Sequence, residues 1–244
     1  MSHHVVAVHG LEYRYPDGTR ALRGIDFEIH HGEAVAVIGG NGAGKSTLLL
    51  HLNGLLLPSA GSVRVGDLPV TPATLAPVRR TVGYVFQDAD DQLFMPTVRD
   101  DVAFGPLNMG LPVEEVARRV DEALERVGVA HLAERPPFHL SGGEKRAVAI
   151  AGVLAMSPAI LVMDEPSAAL DPAARRRLIE QLRGFDHTRI IATHDLDLVL
   201  DVCSRVLVLE RGELRADGPP GRIFADAALL ADCRLEPPLG WQKR

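Results

Sequence analysis

The densest chemical signal in the chain is the run Gly39-Gly40-Asn41-Gly42-Ala43-Gly44-Lys45-Ser46-Thr47. It follows the apolar stretch Ala34-Val35-Ala36-Val37-Ile38 and precedes Leu48-Leu49-Leu50-His51-Leu52, which reads as a helix. Strand, glycine-rich turn and helix together form the setting in which G-x-x-x-x-G-K-[ST] grips phosphate. Glycines let successive backbone N–H groups point inward around phosphate oxygens. The helix that starts there aims its positive dipole end at the same point. Lys45 is suited to bridge the β- and γ-phosphates, and Ser46 to place a hydroxyl on Mg²⁺. The turn therefore predicts a nucleoside triphosphate with Mg²⁺, and leaves open what the energy drives.

Two further groups could complete that chemistry. Asp164-Glu165 closes the apolar run Ala159-Ile160-Leu161-Val162-Met163. Carboxylates at the C-terminal end of a parallel strand face the crevice where open α/β sheets bind ligands. Asp164 is placed to hold Mg²⁺ through an outer sphere, and Glu165 to act as general base on a water. Leu140-Ser141-Gly142-Gly143-Glu144 opens a helix predicted over 145–156. Ser141 and Glu144 have capping-box spacing, which explains those two residues structurally. Two glycines in a first turn weaken a helix, and make sense where phosphate must approach bare N–H groups.

The elements that must position these groups follow from patterning. Ile25-Asp26-Phe27-Glu28-Ile29 alternates with period two, as a half-buried strand does, within a β-rich start over 5–38. The runs at 34–38, 159–163 and 190–193 are apolar on both faces, the mark of parallel strands covered on each side. Arg205-Val206-Leu207-Val208-Leu209-Glu210 is a further strand with charged ends. With helical patterns between them, these predict an α/β core with a mostly parallel sheet. Between about 88 and 156 the character changes. Pro112 starts a helix in which Val113, Val116, Val120, Leu124 and Val127 recur at three- and four-residue spacing, ended by Gly128. This region reads as a helical insertion. Residues 219–244 read as an accessory tail with a short helical pattern from Ile223 to Ala231. Tyr13 and Tyr15 are each open to two readings, a core aromatic or a ring stacked on adenine.

Composition narrows the class. The chain has 244 residues, 46% hydrophobic and 24% charged, enough to bury a sizeable core as one large domain or a domain with a subdomain. The net charge of -6 argues against bulk nucleic-acid binding, so no nucleic-acid partner is expected. Cys203 and Cys233 make neither a disulfide framework nor a metal spacing, and read as reduced structural thiols. Met1-Ser2-His3-His4 lacks the basic-then-apolar pattern of a secretory leader. The longest apolar run, 147–156, is far short of the ~20 residues that span a bilayer. Any membrane must then be reached through a partner.

Taken in order, the phosphate turn, Gln87 after Val85-Phe86, Leu140-Ser141-Gly142-Gly143-Glu144, Asp164-Glu165, Ser167-Ala168-Ala169-Leu170-Asp171 and His194 resemble the ATPase subunits of ABC transporters, over about residues 5–218. That resemblance implies a P-loop NTPase core with an N-terminal antiparallel β subdomain and a helical subdomain within 1–218. It implies two such subunits packed head to tail, as a homodimer or with a paralogue. Each ATP would lie between the phosphate turn of one and the Ser141-Gly142-Gly143 segment of the other. It assigns Tyr15 to adenine stacking, Gln87 to Mg²⁺ or water and to sensing a membrane partner, His194 to the γ-phosphate, and Asp171 to communication across the dimer. Asp171-Pro172 is also an ordinary N-cap and first helical position.

A narrower likeness lies in Val85-Phe86-Gln87-Asp88-Ala89-Asp90-Asp91-Gln92-Leu93-Phe94, Pro96-Thr97-Val98, Asp101-Val102-Ala103-Phe104-Gly105-Pro106, Glu144 and 145–151. These look like the cobalt/nickel and vitamin importers of the energy-coupling-factor type, in which this stretch meets coupling helices of an integral membrane subunit. The implied place is the cytoplasmic face of the membrane, peripherally bound. Departures are Gly40, where proline or another residue is common, and Ala169, where glycine is usual. His3, His4, His9, His30 and His31 invite a metal-binding reading, but have no ligand spacing with a carboxylate or cysteine, and the resemblance places cargo on membrane subunits. The competing readings are a soluble ABC ATPase of repair, translation or cofactor assembly, and a P-loop kinase or GTPase. The first usually shows a coiled-coil insertion or fused halves. The second leaves the Ser-Gly-Gly helix and His194 unused.

Overall fold

The computed structural model describes residues 4–168 and 170–241, so His3 and Ala169 lie outside the described residues. The chain begins with three strands, β1 (His4–Arg14), β2 (Arg20–His30) and β3 (Ala34–Ile38), followed by α1 (Lys45–Leu52). Then come β4 (Ala60–Val65), β5 (Leu68–Pro69), α2 (Leu75–Thr81) and β6 (Val82–Val85). The helical stretch contains α3 (Val98–Asn108), α4 (Val113–Arg126) and α5 (Gly142–Leu154). The second half of the core is β7 (Ile160–Asp164), α6 (Pro172–Arg183), β8 (Thr188–Ala192), α7 (Leu196–Val202), β9 (Arg205–Glu210) and β10 (Glu213–Gly218). Two short helices close the described chain, α8 (Pro220–Ala225) and α9 (Ala227–Asp232).

Two sheets are present among the described residues. One is antiparallel, in the order β2-β1-β4-β5. The other has six strands in the order β10-β9-β3-β8-β7-β6, parallel except where β10 returns along β9. Period-two alternation divides the strands between separate cores. Val35 and Val37 of β3 face a core shared with α1 and the antiparallel sheet, whereas Ala36 and Ile38 face one shared with α7, α8 and α9. Leu161 and Met163 of β7 point instead into the core beneath α3, α4 and α5.

Several expectations are revised. The parallel strand β6 was not anticipated: it is only four residues long and is interrupted by Gly83, which is too little to show a pattern, although all four are buried. β4 also escaped, because its burial is confined to Val63 and Val65. The helix expected over 145–156 spans Gly142–Leu154, shifted towards the N-terminus, with both glycines in its first turn as their spacing from Ser141 implied. Val113 keeps the spacing of the α4 stripe but is 78% exposed, lying past the end of the core it was expected to join. The tail pattern Ile223–Ala231 is two helices rather than one. Asp226 breaks it, leaving helical geometry to accept a hydrogen bond from Leu229 N at 2.9 Å.

Candidate active site

Parallel register brings the chemistry to one edge. Asp164 at the end of β7 stands opposite Ala192 at the end of β8, and Val37 of β3 is also level with Ala192. The residues that leave these strands, Gly39, Glu165 and Thr193-His194, therefore emerge side by side. They open on a cleft of about 600 Å³ lined by Tyr15, Asn41, Lys45, Gln87, Glu165 and His194.

The phosphate turn is held by close backbone contacts. A Cβ on Gly39 would stand 2.2 Å from the Leu209 carbonyl oxygen, so no larger residue fits there. Gly44 forms the N-cap of α1 at φ 106°, a left-handed conformation that favours glycine. The Lys45 ammonium donates to Gly39 O at 2.9 Å and lies 3.2 Å from His194 Nε2. Burial pushes its pKa below the ordinary lysine value, while the charges of Glu165 and Asp164 oppose that shift.

Glu165 has φ 45°, unusual for a residue with a side chain and of the order of 1–3 kcal/mol in cost. Its own N–H donates to Ala192 O at 2.8 Å, which locks the strained residue to the neighbouring strand. The Oε2 atom accepts from His194 N at 3.1 Å. Oε1 lies 3.2 Å from His194 Nε2 but is a buried oxygen without a hydrogen-bond donor. Both statements hold when that ring nitrogen turns its lone pair to Lys45, since it then has no proton to give Glu165. Asp164 is 4% exposed, and its Oδ2 accepts from Tyr84 Oη at 3.4 Å. Burial first, then Asp164, pushes the Tyr84 phenol well above its ordinary value, so it stays a donor. Asp164 Oδ1 is likewise buried with no partner. Two orphaned carboxylate oxygens beside a lysine, with Ser46 and Gln87 on the cleft wall, fit a hydrated divalent cation paired with phosphates.

Around this centre, Tyr15 Oη pairs with Thr47 Oγ1 at 3.0 Å, and the Tyr15 ring meets Tyr13 edge-on at 4.9 Å. Tyr13 in turn contacts the buried His51, whose Nδ1 lies 2.7 Å from Thr47 O. Of the two tyrosines, Tyr15 borders the cleft and Tyr13 backs it.

The other predicted residues lie elsewhere. Ser141 caps α5 in a closed capping box, with Ser141 N donating to Glu144 Oε2 at 2.8 Å. Neither Gly142 nor Gly143 lines the cleft. A Cβ at Gly142 would meet nothing within 4 Å, and one at Gly143 only ordinary contacts with Ala174 and Leu170. Asp171 caps α6, accepting from Ala174 N at 2.8 Å, on an exposed edge.

Sequence reasoning missed three supporting residues. Arg146, 6% exposed, donates to the carbonyls of Phe86 and Gln87, tying the Gln87 loop to the helix that carries the glycine pair. Tyr84 escaped with its strand. Arg175 grips Asp195, the residue after His194. Position in the motif order gave no signal for any of them, since each acts across the fold.

A backbone cradle for phosphate, a buried lysine over it and an acid–histidine pair at the same strand edge define a P-loop nucleoside triphosphatase. The profile of the family described as "ABC transporter" matches residues 22–168, and the chain belongs to that family, as an ATP-binding subunit that hydrolyses ATP. It is similar to an ABC transporter ATP-binding protein of Geobacter sulfurreducens, 66% identical over 99% of this chain and 97% of the relative. It is also similar to the energy-coupling factor transporter ATP-binding protein EcfA of Methanothermobacter thermautotrophicus, 51% identical over 96% of this chain and 77% of the relative. Among solved structures it is similar to CbiO1 of Clostridium perfringens, part of the ABC transporter complex CbiONQ. There the TM-score is 0.82 and the identity 42%, over 94% of each chain. No helix among the described residues is long and apolar enough to cross a membrane.

Proposed function

We propose that this chain is the motor subunit of an import complex of the energy-coupling-factor type, moving cobalt or nickel ions or a vitamin. It would work on the cytoplasmic face of the membrane as a head-to-tail dimer. One observation carries the dimer. Gly142 and Gly143 are the poorest helix formers after proline, yet nothing inside the subunit requires a missing side chain there, and they do not line the subunit's own cleft. A phosphate held by a second subunit supplies the requirement. The names of the EcfA and CbiO1 relatives support the import reading.

In this reading Lys45 and the turn from Gly39 to Thr47 bind the β- and γ-phosphates, and Tyr15 stacks on adenine. Ser46 and Gln87 hold Mg²⁺, with Asp164 in its outer sphere; the cation neutralises charge on the phosphates when bound. Glu165 Oε1 accepts a proton from the water that attacks the γ-phosphorus, while the bond to the bridging oxygen breaks and ADP leaves. His194 orients the γ-phosphate, and Asp171 reports across the dimer. The apolar groove lined by Leu55, Phe86, Phe94, Phe104 and Met109 receives a helix of the integral membrane partner. Phe94 is 63% and Phe104 42% exposed there, with their rings edge-on at 4.9 Å.

The test is Glu165→Gln with Mg²⁺ and ATP. Turnover disappears, nucleotide binding persists and light scattering reports an ATP-dependent dimer. A variant that hydrolyses at the parent rate, or a parent fully active as a monomer, overturns the reading.

A further inference from the structure

Helices α6 and α7 are joined by two ion pairs of the same chemistry at opposite ends. Arg183 reaches Asp201 at 2.9 Å, with both side chains well exposed. Arg175 grips Asp195 with both arms of its guanidinium, Nε to Oδ2 at 2.6 Å and Nη2 to Oδ1 at 2.9 Å, and these side chains are mostly covered. A fork-to-fork contact fixes orientation as well as distance. Asp195 is held at other points too. Its N–H donates to Thr193 Oγ1 at 3.0 Å, and its Oδ1 also accepts from Leu198 N at 2.8 Å. Burial pushes the Asp195 carboxyl up, but Arg175 and the Leu198 N–H outweigh it and leave the group below its ordinary value. His194 lies between the buried Thr193 and this clamped residue, and its backbone N–H donates to Glu165 Oε2 at 3.1 Å. Arg175 itself stands in the first turn of α6, where its N–H donates to Asp171 O at 2.9 Å.

We propose that Arg175 is a positioning residue for hydrolysis: through Asp195 it fixes His194, and through the His194 N–H it aims the carboxylate of Glu165. This rests on the roles proposed above for Glu165 and His194. The Arg183–Asp201 pair joins the same helices without touching the site, and so separates positioning from simple helix packing.

The test measures kcat, the ATP KM and the melting temperature of Arg175→Gln, Arg175→Lys, Asp195→Asn and Arg183→Gln in the full chain. Asp195→Asn keeps an acceptor for the Leu198 cap while removing the charge. Arg175→Gln and Asp195→Asn are expected to lower kcat by about tenfold to hundredfold with KM within about twofold, the scale of a small misplacement of a catalytic group. Arg175→Lys, which cannot fork, falls between parent and Gln. A variant carrying both Arg175→Gln and Asp195→Asn is no slower than the worse single, and Arg183→Gln keeps the parent kcat. Parental kcat in folded Arg175→Gln or Asp195→Asn, or an equal loss in Arg183→Gln, overturns the proposal. Glu165→Gln is measured alongside: if it remains active the site assignment itself is wrong, whereas if it is dead and Asp195→Asn is not, only the positioning role fails.

Discussion

Lys45 Nζ lies 3.2 Å from His194 Nε2, although 149 residues separate them in the chain. The contact joins the phosphate turn that follows β3 to the second residue after β8. It exists because those two strands are hydrogen-bonded neighbours, with Val37 level with Ala192. Lysine donates, so the ring nitrogen accepts, and Glu165 Oε1 is left free to take a proton.

Lys45→Ala should weaken nucleotide binding about tenfold to hundredfold, the loss of charge-assisted contacts worth roughly 1.5–3 kcal/mol. Titration calorimetry with a slowly hydrolysed analogue measures this. Unchanged affinity would count against the lysine as a phosphate ligand.

His194→Ala should depress kcat far more than it raises the ATP KM, because the ring touches Lys45 and Glu165 at the end of the cleft rather than at its Tyr15 wall. Steady-state hydrolysis at fixed Mg²⁺ separates the two parameters. A variant with parental kcat removes His194 from the γ-phosphate.

Phe94→Asp with Phe104→Asp should abolish retention of the chain by the integral membrane partner proposed above while leaving basal hydrolysis in solution. Burying either new carboxylate in an apolar contact would carry a large desolvation cost. Co-purification from detergent extracts is the readout, and a double variant retained like the parent sinks the docking assignment.

Both thiols should resist labelling in the native state. Burial pushes the Cys203 thiol up to about 12 and also raises that of Cys233. The folded protein thus keeps protons that the unfolded chain gives up near pH ~8.5, so unfolding is favoured as pH rises through that value towards 12. Ellman titration at pH 8 should report both cysteines only after denaturant is added. Rapid native labelling would show that the fold opens locally there.

Elements whose signal is local were legible in the chain. The phosphate turn was readable because its glycines, lysine and hydroxyls act within nine consecutive residues, and β3, β7 and β9 because burial on both faces leaves continuous apolar runs. The α4 stripe was readable from its spacing, except at Val113, where the core simply stops. β6 was not readable, since four residues with Gly83 among them are too few to show a pattern, and it is the pairing with β7 that makes them a strand. The Ser141–Glu144 box at the start of α5 was legible from its spacing, while the helix runs from Gly142 to Leu154 rather than over 145–156.

By itself the sequence determined which groups are available for chemistry: a phosphate cradle, a lysine, two carboxylates, a histidine and a glycine pair. Tertiary structure alone decided which of them meet. Strand order and parallel register carry Glu165 and His194 to Lys45, and the glycine pair on α5 stays outside the cleft they line. It also decided the strained φ of Glu165 and the grip of Arg175 on Asp195. The reason is physical: a turn is specified by the torsions of adjacent residues, whereas the distance between two strand ends is specified by hydrogen bonds to a neighbour far away in the chain.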